Sequence, residues 1–254
     1  MSELHDIVYL LKNDYEDTEE LRYSLRSVCK NWDYHKVVFV GGTCPGVQPD
    51  LYIPDNQEGA TKWQRSMHSL QLALECEELT EDIWLFNDDF FIMERPEILG
   101  TELNWFGGTL EKRVADLRKR VGNSRYTREL EACRGELLSR GKDALNFALH
   151  MPMLVNRAKA LQLFQKKPNL KMFRSYYGNF YAIPCVYAPD CKVYDLKSVP
   201  NSQLLSTTDE AFKQGQVGGF IKACFPEPCK YEQAVQPAVY TPELYTEDGD
   251  IKYS

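Results

Sequence analysis

The run Ile83-Trp84-Leu85-Phe86-Asn87-Asp88-Asp89-Phe90-Phe91-Ile92-Met93 limits what this chain can fold into more than any other stretch, because eight apolar residues enclose two adjacent carboxylates. Burying even one unpaired ion costs several kcal/mol. The sequence therefore predicts a buried strand that ends at Asn87, with Asp88 and Asp89 at its carboxyl end facing a cleft. Ligands of open α/β sheets bind at that end of the strands. A carboxylate pair there suits a hard divalent cation, Mg2+ or Mn2+, held jointly with substrate phosphates. It suits a cap on the following turn equally well.

The stretches before it repeat the pattern. Asp6-Ile7-Val8-Tyr9-Leu10-Leu11 reads as a buried strand that stops at the polar group Lys12-Asn13-Asp14. Thr18, Glu19 and Glu20 open a helix to about Asn31, with Leu21, Leu25 and Val28 on its apolar stripe. Arg22 and Arg26 share a neighbouring face at i,i+4 spacing, where two guanidinium groups can grip a phosphate or simply face solvent. Lys36–Val40 is a second strand closed by Gly41-Gly42-Thr43, and Leu51–Ile53 a short third. A helix follows from Thr61 to Glu77, with Trp63, Met67, Leu70 and Leu74 at core spacing. Arg65, Ser66 and His68 lie near its start, where helix N-termini favour anions. Strand, helix, strand, helix, strand with polar residues after each strand predicts a parallel sheet and a nucleotide-binding layout.

From 104 to 149 the pattern changes. Leu110, Val114, Leu117 and Val121 recur at helical spacing, Leu130 and Leu137 continue it, and residues 110–149 carry ten Lys/Arg against six Asp/Glu. An inserted helical hairpin is predicted, either a solvated face or a grip on an anionic acceptor. His150-Met151-Pro152 ends it, since Pro152 disfavours helical geometry at Met151. Helices are predicted at Asn156–Gln165 and Thr208–Ala223, and Phe225–Glu232, with its two prolines, as an extended segment.

The whole chain of 254 residues suits one α/β domain with an insertion. A net charge of −7 disfavours bulk nucleic-acid binding. Eight cysteines without a CxxC pair, and no apolar run of membrane-spanning length, point to a cytoplasmic, thiol-containing protein.

Several of these stretches, in order, resemble the Stealth family, which includes bacterial capsule-polymer hexose-1-phosphate transferases and the animal lysosomal-enzyme N-acetylglucosamine-1-phosphotransferase. Glu20–Val28 resembles the opening of that family's second region and Phe86-Asn87-Asp88-Asp89-Phe90-Phe91 its end. His150-Met151-Pro152 with Asn156-Arg157 resembles the third region, Phe173-Arg174-Ser175 the element after it, and Phe225-Pro226-Glu227-Pro228 through Tyr231-Glu232 the close of the fourth. The family's first region is reduced here to Asp6-Ile7-Val8-Tyr9, and its Asn-Asp-Thr element to Thr207-Thr208-Asp209.

The resemblance implies a GT-A-like, Rossmann-type fold and a transferase acting on a nucleotide-diphosphate sugar. It implies transfer of sugar-1-phosphate to an acceptor hydroxyl; the alternative is transfer of the sugar itself, to a glycan or to a hydroxymethylated DNA base. His150 is the candidate base, because an imidazole titrates near neutrality. Arg174 would neutralise the diphosphate with Arg22 or Arg26 assisting, and Arg65 is a further candidate substrate contact. Asp89, supported by Asp88, would hold the divalent cation or orient the acceptor, beside Asn87. Asn13 and Asp14 are candidate donor contacts by position.

Overall fold

The alternation of apolar residues becomes visible once the strands are paired. In the computed structural model, which describes residues 4–13, 19–56, 59, 61–232 and 238–239, the first half of the chain forms β1 (Asp6–Leu11), α1 (Glu19–Asn31), β2 (Val37–Gly41), β3 (Leu51–Pro54), α2 (Lys62–Glu75) and β4 (Asp82–Phe86). β5 (Phe90–Ile92), β6 (Asn104–Phe106), α3 (Leu110–Val121), α4 (Arg125–Ser139), β7 (Met153–Asn156), α5 (Arg157–Lys166) and α6 (Phe173–Phe180) follow. The remainder is β8 (Cys185–Tyr187), β9 (Lys192–Val193), β10 (Leu204–Thr207), α7 (Asp209–Gln214), α8 (Gln216–Cys224), a 3-10 turn at Lys230–Glu232 and β11 (Ala238–Val239).

The main sheet has the order β11-β3-β2-β1-β4-β7. All its pairs are parallel except β4 with β7. Successive side chains point to opposite faces. Val8, Val38, Val40, Ile83 and Leu85 therefore join a core under α2, α5 and α6, while Ile7, Tyr9, Val37, Phe39, Trp84 and Phe86 join one under α1. Leu21, Leu25 and Val28 of α1 are fully buried there, worth about 2 kcal/mol each. β1 lies between β2 and β4, so the chain turns one way after β1 and the other way before β4. The crevice between these two strands is the switch point at which open α/β sheets bind ligands.

A second, three-stranded sheet, β5-β10-β9, and α7 with α8 form a smaller core around Phe91, Leu205, Phe212 and Ile221. Two buried serines of α1 fix it against the main sheet. Ser24 Oγ donates to the Phe90 carbonyl at 2.6 Å, and Ser27 Oγ accepts from the Ile92 N–H at 2.9 Å. These bonds set the direction in which the chain leaves the Asn87–Asp89 turn.

Several expectations change. The helix expected over 208–223 is two, broken at Gly215. The hairpin ends at Ser139, and the chain then runs irregularly to His150, with Leu145 bridged to Thr109. Phe225–Glu232 is not extended throughout: it turns at Lys230 because Glu232 folds back to accept from the Cys229 N–H at 3.0 Å and to hold Arg26. Thr18, the expected helix start, lies outside the described residues.

Candidate functional site

Three adjoining cavities run along the carboxyl edge of the sheet. The first, of about 550 Å³, lies past β1, β2 and β3 and is lined by Asn13, Gly41, Gly42, Thr43, Asp55 and His68 among others. Gly41 has φ +95°, a conformation that favours glycine. A Cβ on Gly42 would fall 1.8 Å from the Lys12 carbonyl oxygen. These two glycines, weak evidence in the sequence, let β2 end against β1 and open the cavity. Asp55 organises the opposite wall, accepting from His68 Nδ1 at 2.8 Å and Ser69 Oγ at 2.5 Å, while Asn13 Nδ2 donates to its carbonyl at 2.8 Å.

The second cavity, about 230 Å³, is lined by Lys12, Lys62, Arg65, two serines and two leucines. Ser69 lines it and also bonds Asp55 of the first. Lys62 and Arg65 are in the first turn of α2, which begins in a capping box between Thr61 and Gln64. Lys12 and Lys62 continue into the third cavity, about 310 Å³, where Asn87, Asp88, Tyr126, Ala148 and Arg174 form the walls. Trp63 and Met67 also line it. The sequence places them in the core with Leu70 and Leu74; those two are buried, Met67 is half-buried against the same core, and Trp63 is half-buried on the cavity wall.

Arg174 reaches the third cavity from the first turn of α6. Its Nη1 donates to the Met151 carbonyl at 2.5 Å and Nη2 to that of Leu85 at 3.4 Å, and its guanidinium lies 5.7 Å from the Phe90 ring centroid. Burial draws its pKa down to about 10, opposed by the charges of Asp89, Tyr126 and Asp190, so it remains cationic at neutral pH. His150 sits between Ala148 on the cavity wall and Met151. Its Nδ1–H donates to both oxygens of Asp190 at 3.0 Å, and its backbone N–H donates to the same carboxylate. Burial pushes Asp190 up, but these bonds and the charges of His150 and Arg113 outweigh it and hold the carboxyl below its usual range. The structure thus brings Asn87, Asp88 and Arg174 to one cavity. His150 and Asp190 line none of the three cavities; His150 is the residue before Met151, whose carbonyl Arg174 holds.

Asp89 behaves differently from Asp88. It turns away from the cavity and accepts from the Lys192 ammonium and from Ser206 Oγ at 3.1 Å, while its Oδ1 is buried without a hydrogen-bond partner. Lys192 also donates to the Thr207 carbonyl. Thr207 Oγ1 in turn donates to Glu20 Oε1 at 2.9 Å. Burial, and the charges of Asp209, Asp88 and Asp89, raise Glu20 to about 7 despite that hydrogen bond.

The expected divalent cation does not fit this arrangement well. An ion on the remaining Asp89 oxygen would share that carboxylate with an ammonium, and among the described residues no three His, Cys, Asp or Glu side chains gather as metal ligands. Asp88 is left as the carboxylate on the cavity wall.

Arg22 and Arg26 are held elsewhere. Arg26 forms a two-pronged pair with Glu232, both contacts 2.7 Å, and donates to the Phe225 and Pro226 carbonyls. Arg22 donates to the Pro45 and Gly46 carbonyls. Neither lines the three cavities. Both lie on the α1 side, which the sequence could not distinguish from the cleft side. Arg65 does line the cleft, and Asp14 is outside the described residues. Four of the basic hairpin's arginines pair within it, as Arg118–Glu131, Arg125–Glu129, Arg134–Glu111 and Arg140–Glu136. Sequence reasoning missed Asp190, which is forty positions from His150 and carries no local signal, and Lys62, whose signal was its place just after the cap Thr61.

No family model matches the chain, and no curated protein matches it in sequence. Among solved structures, the galactosyltransferase LgtC in complex with donor and acceptor sugar analogs is similar over 89% of this chain and 96% of its own, at a TM-score of 0.50 and 9% identity. The glycosyltransferase GlyE of Streptococcus pneumoniae is similar over 88% of this chain and 61% of its own, at a TM-score of 0.43 and 10% identity. The chain shares with LgtC a GT-A-like fold, a mostly parallel α/β sheet flanked by helices. No helix among the described residues is long and apolar enough to cross a membrane.

Proposed function

We propose that this chain is a transferase that lays a nucleotide-diphosphate sugar along the carboxyl edge of its sheet and passes the sugar to an acceptor hydroxyl. One observation carries the reading: the order of chemistry along the three cavities. A polar recess of nucleoside size comes first, three cations next, and an Asn87–Asp88–Arg174 end with aromatic walls last. That succession matches base and ribose, diphosphate, and sugar. Aromatic faces such as Trp63 and Tyr126 suit the apolar faces of a sugar ring, and a carboxylate and an amide suit its hydroxyls.

In the proposed step the acceptor oxygen bonds to the sugar's anomeric carbon as the bond from that carbon to the donor phosphate breaks. The electron pair leaves with the nucleoside diphosphate, whose growing charge Arg174 and the cationic middle of the cleft stabilise. His150, two residues from Ala148 on the cavity wall, would take the acceptor's proton at Nε2, with the Nδ1 proton assigned to its bond with Asp190. Asp89 keeps the turn in place through Lys192 rather than meeting substrate. A glycan hydroxyl fits this reading better than a DNA base, since four of the hairpin's arginines are held by its own glutamates.

A second reading, transfer of sugar-1-phosphate, draws support from the bond of Arg174 to the Met151 carbonyl, one residue from His150, these being the two residues that the Stealth resemblance assigns to that chemistry. The released nucleotide separates the readings. With a panel of nucleotide sugars and glycan acceptors, nucleoside diphosphate is expected by chromatography. Nucleoside monophosphate with retained sugar-phosphate would replace the first reading by the second. His150→Ala should lower the rate at least ~100-fold under either; undiminished turnover would remove His150 as the base.

A further inference from the structure

The second cavity holds three basic side chains and no carboxylate, beside a carboxylate pair half of which is committed to an internal lysine. We infer that Lys12, Lys62 and Arg65, with Arg174 at the sugar end, neutralise the donor's diphosphate in place of a divalent ion. This rests on the nucleotide-sugar reading and states how that site handles charge.

Three arrangements support it. Lys62 and Arg65 are three residues apart in the first turn of α2 and so share one face of the helix. Lys12 stands one residue past the end of β1, across the crevice from them. Lys12 and Lys62 also line the cavity that contains Asp88 and Arg174, so the cationic track reaches the proposed sugar position without a gap. Among the described residues no carboxylate forms an ion pair with Lys12, Lys62 or Arg65, although this protein pairs much of its surface charge. A bridging diphosphate carries about two negative charges, which three fixed cations can balance through charge-assisted hydrogen bonds.

The Lys192–Asp89 pair supplies the complementary half. In a two-carboxylate cation site both acids turn toward the substrate. Here the second acid is drawn back by Lys192, Ser206 and, through Lys192, the Thr207 carbonyl. The positive charge stands instead on the opposite wall, just past β1 and in the first turn of α2.

The test is equilibrium binding by calorimetry of UDP, GDP, CDP and ADP, each with its nucleoside as control, in EDTA and in Mg2+ or Mn2+. The diphosphate that binds is expected to change in affinity by less than about threefold between the buffers. Lys12→Ala, Lys62→Ala and Arg65→Ala, all at exposed positions, should each weaken it about tenfold and leave the nucleoside unaffected. A larger loss in EDTA that Mn2+ restores would overturn the inference and leave the functional reading standing. So would three variants that bind the diphosphate as the parent does. No binding of any diphosphate in either buffer would remove the functional reading and this inference together.

Discussion

Replacing Glu232 by Gln tests whether Arg26 serves the fold or the ligand. The Arg26–Glu232 pair joins α1 to the last turn before β11, two hundred positions away in sequence. Its side chains are only 12% and 6% exposed, and both prongs are 2.7 Å. Burial raises the Glu232 carboxyl, but the Arg26 and Cys229 N–H bonds and the two arginine charges outweigh it and hold the pKa below the usual range.

Removing one partner of a buried pair costs about 3–5 kcal/mol. Arg26 would keep the Phe225 and Pro226 carbonyls, which favours the lower end, about 3 kcal/mol. For a chain of this size that lowers Tm by roughly 6–12 °C. Urea unfolding at neutral pH, followed by circular dichroism, measures it directly. Arg26→Met with Glu232→Met should recover much of the loss, because no charge is then left unpaired. The sign with pH follows from the lowered pKa: the pair's contribution is present above the unfolded value of about 4.5 and fades as pH falls through the folded value. The reasoning is refuted if Glu232→Gln costs under about 0.5 kcal/mol while Arg26→Ala abolishes nucleotide binding. Arg26 would then be the phosphate ligand that its spacing in the sequence first suggested.

Two further outcomes follow from the site. Asp190→Asn removes the charge that holds the His150 ring and should lower kcat about 10- to 100-fold with little change in KM, and adding it to His150→Ala should cost little more. Additive losses in the double variant would mean that Asp190 acts apart from His150. Glu20, whose folded pKa of about 7 lies above its unfolded value of 4.5, makes the protein lose stability as pH rises from about 4.5 to 7. Glu20→Gln should flatten that slope, by on the order of 1–2 kcal/mol after allowance for its partial exposure; an unchanged urea-midpoint profile over this range would contradict the burial of Glu20.

What could be read in the sequence was what local chemistry encodes. β1, β2 and β4 are uninterrupted apolar runs, and α2, α5 and α7 begin at Thr61, Asn156 and Thr208, whose side chains cap their first turns. The crevice followed from these, because each strand ends in polar residues on the same edge. Of the β5-β10-β9 sheet only a late strand at Val193-Tyr194 was legible: its strands are two to four residues long, and β5 exists through pairing with β10 across more than a hundred positions. Antiparallel β7 looked only like the residues before a helix. The Asp88–Asp89 pair was the clearest signal, and it was half misread. The sequence shows two acids at a strand end, but the lysine that claims one of them is 103 positions away. Arg26 and Glu232, both drawn from stretches that carried the family resemblance, meet each other and not the cleft.

A crystal structure with an intact nucleotide-diphosphate sugar bound tests the central claim most directly. The account predicts the base and ribose between Gly42, Asn13 and His68, the diphosphate against Lys12, Lys62 and Arg65, and the sugar between Asp88 and Arg174. Density for the donor on the α1 side, at Arg22 and Arg26, with the three cavities empty, would contradict it.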